Sequence, residues 1–78
     1  MRQRIEVRDA HPENAAQVMK DLLTGLGAGS NDFRVEATGP DHIEVILEGN
    51  RWDQQAVDEA MTGIRGEGYK AQFLGIAP

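Results

Sequence analysis

The sequence predicts an α+β sandwich built from two consecutive strand-helix-strand units. The first observation behind this is a hydrophobic rhythm that occurs twice along 78 residues. Ile5 and Val7 alternate with polar neighbours. Val18, Leu22, Leu23 and Leu26 then recur at helical spacing, and Phe33, Val35 and Ala37 alternate again. The pattern repeats with Ile43, Val45 and Leu47, then Val57, Ala60, Met61 and Ile64, then Tyr69, Ala71 and Phe73. The second observation is punctuation, because clusters of Gly, Pro, Asn and Asp fall between the periodic segments. The third is length. Residues 1–78 suffice for a single domain, with no linker and no low-complexity stretch.

The first strand is expected over residues 3–8, broken by Asp9-Ala10-His11-Pro12. Pro12 suits a first helical turn, where its missing N–H costs nothing and its φ is already helical. Glu13 adds a favourable negative charge there. His11 is the expected N-cap, a weak one, with Asp9 near enough to assist. The first helix runs to about residue 26 and presents Ala15, Val18, Met19, Leu22, Leu23 and Leu26 as one stripe. Gly25, Gly27 and Gly29 end it. The second strand is expected over residues 32–38, a turn at Gly39-Pro40-Asp41, and the third strand over 42–48. Asn50 is the expected N-cap of a second helix over residues 51–65, with Asp53 three positions on as a capping-box variant. Gly63 inside it costs up to about 1 kcal/mol relative to alanine and marks either close packing or early fraying. Gly66-Glu67-Gly68 ends the helix, and the last strand covers residues 69–75.

Two such units with right-handed crossovers, joined by a tight hairpin, give the ferredoxin-like βαββαβ sandwich. The expected sheet is antiparallel, in order 4-1-3-2, with both helices on one face. Ile5, Val7, Phe33, Val35, Ile43, Val45, Leu47, Ala71 and Phe73 are expected to face the helices. Arg4, Glu6, Arg8, Arg34, Glu36, Glu44, Glu48, Lys70 and Gln72 are expected to line the open face, with Ile46 and Leu74 as apolar exceptions.

Composition narrows the function classes. A net charge of −5 and a pI near 4.8 disfavour nucleic acid and anionic membrane surfaces as partners. The longest apolar runs, such as Val45-Ile46-Leu47, are too short to span a bilayer, and no apolar segment follows the basic start Met1-Arg2-Gln3-Arg4. A cytoplasmic location is the expectation. With no cysteine, disulfides, thiolate metal sites and a cysteine nucleophile are excluded. A core of this size leaves a net stability of roughly 3–5 kcal/mol, and small chains often add to it by oligomerising.

Three places carry candidate chemistry. The expected topology gathers both histidines at one end of the sheet, so that Asp9, His11, Asp41, His42 and Glu67 share the loops there. Imidazole and carboxylate together hold zinc-like metals, although no tight spacing such as His-x-x-x-His is present; the plain alternative is loop residues that cap and solvate. The first helix N-terminus near Arg8 offers a partial positive charge to an anion, opposed by Asp9, Glu13 and Asp41. The second place is the open face, with Arg4, Glu6, Arg8, Glu44, Ile46 and Leu74. It has no aromatic residue on the central strands for stacking RNA bases. Its mixed charges fit either cross-strand ion pairs, each about 0.2–1 kcal/mol, or a self-complementary two-fold interface. The third is Trp52, which either staples the second helix to the sheet end or remains a contact residue. The glycine-rich residues 25–29 close a helix, whereas a phosphate-binding loop opens one. No nucleophile-base arrangement can be argued.

The run Ile64-Arg65-Gly66-Glu67-Gly68-Tyr69 resembles the end of the second helix and the start of the last strand in heavy-metal-associated domains of metallochaperones and metal-transport ATPases. That resemblance implies the same plait. The family carries a Cys-x-x-Cys in the first strand-helix loop; here the loop reads Asp9-Ala10-His11-Pro12-Glu13-Asn14, so thiolate metal carriage is not implied. The first half is similar to ACT regulatory domains, which bind amino acids between paired copies at this loop, usually with a glycine that residues 9–14 lack. The expectation is a non-catalytic binding or assembly module without cofactor. Its partner is a second copy or another protein, met through the open sheet face. The alternative is a small-ligand or metal site around His11 and His42.

Overall fold

Six elements follow in the order the rhythm dictates: β1 (Arg2–Arg8), α1 (Pro12–Gly25), β2 (Phe33–Gly39), β3 (His42–Glu48), α2 (Gln54–Gly66) and β4 (Lys70–Ala77). They are seen in a computed structural model that describes residues 2–77. The four strands form one antiparallel sheet in the order β2-β3-β1-β4, which is the expected 4-1-3-2 read from the other edge. Ile5 stands opposite Val45 on one side and Phe73 on the other, and Val35 stands opposite Val45. This register puts the apolar alternates of β1, β2 and β3 on one face, where both helices cover them.

The core lies between the layers. Ile5, Val7, Ile43, Val45 and Leu47 of the sheet are fully buried against Ala15, Met19 and Leu23 of α1 and Ala60 and Ile64 of α2. Each large side chain so buried contributes about 1.5–3 kcal/mol relative to exposure. Ala10 and Ala28, which sequence periodicity does not single out, are also in the core because their loops fold inward. The helices meet closely at Gly63: a Cβ there would lie 2.9 Å from Leu22 Cδ1. Of the two expectations for this glycine, close packing is the outcome.

Three boundaries differ from the sequence expectation. α2 begins at Gln54, and its N-cap is Asp53, whose side chain accepts a 2.8 Å hydrogen bond from the Ala56 N–H. Asn50 does not cap, because Arg51 and Trp52 are held outside the helix. Arg51 donates to the Gly27 carbonyl at 2.5 Å, and its guanidinium lies over the Trp52 ring. The Trp52 indole N–H donates to the Asp32 carbonyl at 2.8 Å, and Gln3 Nε2 donates to the Trp52 carbonyl at 2.8 Å. α1 stops at Gly25, with Leu26 as its C-cap and Gly27 turning at a φ of 100°. Leu26, expected in the buried stripe, is exposed as a result.

β4 continues past residue 75, and it contains a bulge. Arg4 stands opposite Gly75 while Ile5 stands opposite Phe73, so Leu74 is the extra residue. Gly75 has a φ of 99°, a conformation natural to glycine at a bulge. The extra residue resets the alternation. Ile76 stands opposite the buried Gln3, on the same side of the sheet as Phe73.

Candidate functional site

The loop end assembles as the topology requires. The Ala10 N–H donates to the Asp41 carbonyl at 3.0 Å, joining the β1–α1 loop to the β2–β3 hairpin. Arg8 stands opposite both His42 and Lys70. Asp9 adopts the left-handed region at a φ of 56° and meets Lys70 Nζ at 3.3 Å. His42 Nε2 lies 3.4 Å from the Asp41 carboxylate. His11 is the backbone N-cap of α1 and makes no side-chain cap bond; Pro12 follows it. Glu67, the C-cap of α2, borders a cleft with Val18, Asp21 and Leu22 of α1 rather than with the histidines. Among the described residues no three His, Asp or Glu side chains group closely enough to hold a metal ion. The end therefore brings the named residues to one side of the molecule without converging them on one point.

The open face is organised by ion pairs within the chain. Arg4 makes two hydrogen bonds to Glu44, the longer at 2.9 Å. The hydrogen bond from Arg4 holds the Glu44 carboxyl below its ordinary value, with the guanidinium charge adding to the effect and partial burial opposing it. Arg2 pairs with Glu48 at 2.9 Å, Arg8 with Glu6 at 2.7 Å, and Arg34 lies 3.8 Å from Glu36. Ile46 stands opposite Arg4 on β1 and Arg34 on β2 and is only 4% exposed. Long arginine stems cover apolar surface while their heads stay in water. Ile46, expected as an apolar anchor for a partner, is thus already covered by its own chain. Trp52 is likewise withdrawn at 5% exposure, in its stapling role.

A third surface was not singled out from the sequence. Four large hydrophobic residues are exposed among the described residues, and three of them lie on β4: Phe73 at 43%, Leu74 at 42% and Ile76 at 64%. β4 is an edge strand, so one flank of its backbone has no partner strand in the sheet. Beside it, a groove of about 560 Å³ runs between β4 and α2, lined by Gln3, Gln54, Val57, Asp58, Met61, Thr62, Arg65 and Phe73. Arg65 closes one end by donating to the Ala71 carbonyl at 2.9 Å. The signal was present as an uncharged run over residues 71–77 on a strand that the expected order placed at an edge.

Comparison with known proteins finds no matching family model, no matching curated protein and no matching solved structure. The chain's likeness to the ferredoxin-like plait therefore rests on its element order and sheet topology. No helix among the described residues is long and apolar enough to cross a membrane.

Proposed function

We propose that this protein is a non-catalytic binding module whose working surface is edge strand β4 together with the groove between β4 and α2. The observation that carries this reading is the concentration of exposed apolar side chains on one uncharged edge strand. Contiguous exposed apolar surface on a small soluble domain marks contact sites, and an unpaired strand edge offers backbone hydrogen bonds to an extended partner. The open face supports an interface less well, because its charges are satisfied within the chain and Ile46 is covered.

A second reading has its own support. The groove volume falls in the range of small-molecule sites, about 300–1,000 Å³. Its lining mixes Val57, Met61 and Phe73 with Gln3, Asp58 and Arg65, so a small amphiphilic ligand fits it better than it fits the loop end around His11 and His42.

Shift mapping with indole, a small uncharged apolar probe, tests the choice of surface. Titrated into labelled protein, indole is expected to move the amide signals of β4 and of the α2 turn carrying Asp58, Met61 and Thr62. Movement confined to the open face, or to the loops around His11 and His42, would replace the proposed surface with that one.

A further inference from the structure

We infer that the partner of β4 is a second copy of this chain, paired antiparallel edge to edge across a two-fold axis into one continuous eight-stranded sheet. The inference rests on β4 being the working surface, as proposed above, and adds the identity of the occupant.

The two edges of the sheet differ in a way that bears on this. β2 carries Arg34 and Glu36 and ends at Gly39-Pro40, the kind of charged and proline-flanked edge that resists pairing. β4 has Lys70 at its start, and no charge follows over residues 71–77. A partner selected by charge finds nothing to read along that run, whereas an identical uncharged run meets no repulsion from it.

The bulge supplies the register. In an antiparallel pair, residues directly opposite one another lie on the same face of the sheet. Phe73 and Ile76 are three apart, an odd spacing that in a regular strand would place them on opposite faces. The extra residue at Leu74 returns both to the helix side. A two-fold axis through the bulge therefore sets Phe73 against Ile76 of the second copy, and Ile76 against its Phe73. At the axis, Leu74 meets the side-chain-free Gly75 of the second copy, and the same contact occurs in reverse. Every exposed apolar residue of β4 is then covered twice over, large against large at the flanks and large against small at the centre. Aromatic and β-branched cross-strand pairs are among the favourable ones in sheets.

An edge of eight residues extends about 26 Å at ~3.3 Å per residue. An interface that narrow belongs to the small, weak class of protein contacts, so self-association is expected to appear only at high concentration.

The test is sedimentation equilibrium from micromolar to millimolar protein, with amide hydrogen exchange on β4. Wild type is expected to show a concentration-dependent dimer. Phe73→Glu and Ile76→Lys, both at exposed positions, are each expected to weaken it at least tenfold. Mixed together, the two variants are expected to recover dimer as a one-to-one pair, because Glu at 73 then opposes Lys at 76 while the other flank keeps a native Phe73–Ile76 contact. Circular dichroism checks that each variant is folded. A dimer abolished by Ile46→Lys and untouched by Ile76→Lys would overturn the inference and return the interface to the open face. A monomer at millimolar concentration whose β4 signals still respond to indole would overturn the second-copy inference and leave the binding surface standing. A monomer whose β4 ignores indole would remove both.

Discussion

Gly63 shows how one absent atom sets the spacing of two helices. Alanine is favoured over glycine inside a helix by about 1 kcal/mol. Here the added Cβ would lie 2.9 Å from Leu22 Cδ1, 3.2 Å from Cδ2 and 3.3 Å from Cγ. Both methyls flank the glycine, so rotating the end of the leucine cannot clear them together. Overpacking of this kind costs about 1–3 kcal/mol, and Gly63→Ala is expected to lower stability by about 1 kcal/mol net. In a Leu22→Ala background the clash is gone and the same substitution is expected to stabilise by about 1 kcal/mol. Urea midpoints of the four chains check the reversal; a Gly63→Ala midpoint above wild type would refute the close approach. Glu44 supplies a second prediction at this scale. Its folded value is depressed by the hydrogen bond from Arg4, so its contribution is present above the unfolded carboxylate value and is lost as pH falls through the folded one. Glu44→Gln is expected to flatten the acid limb of stability against pH, read from urea midpoints from neutral pH downwards. Neither contact is local in sequence. Position 63 read equally as packing or fraying until its neighbour was known, whereas alternating Arg and Glu on the open strands already pointed to cross-strand pairing.

At the scale of elements, the N-terminus of α2 separates local signal from tertiary choice. Asn50 and Asp53 are both good caps, and nothing within ten residues decides between them. The decision is made by contacts more than twenty residues away, where Arg51 seats on the Gly27 carbonyl and Trp52 on the Asp32 carbonyl. Asp53→Ala is therefore expected to cost about 1 kcal/mol, while Asn50→Ala changes little; thermal or urea unfolding of the pair checks it, and the opposite order would place the cap at Asn50. β4 teaches the complementary lesson. Strict alternation correctly put Ala71 and Phe73 on the helix side, and it failed at residue 74, since a bulge changes parity without changing composition. Gly75 was the one local sign of it. Ile76 fell beyond the expected strand end, so the apolar cluster at this edge was not visible as a cluster.

For the whole molecule, sheet order and layer arrangement were legible because they follow from the order of periodicities and the handedness of crossovers. The gathering of Asp9, His11, Asp41 and His42 at one end was legible for the same reason. Whether Ile46 offers a surface was not, since its cover depends on the register that brings Arg4 and Arg34 alongside. Trp52 has a further consequence. It is the single tryptophan of the chain, and its ring and backbone are fastened to the lead-in of β2 and to β1 by hydrogen bonds that span 20 and 49 residues. The chain thus carries one natural fluorophore at a junction that exists only when the first strand, the second strand and the second helix have all come together. Its emission spectrum is an optical gauge of completed assembly, blind to isolated helix formation, and needs no added label.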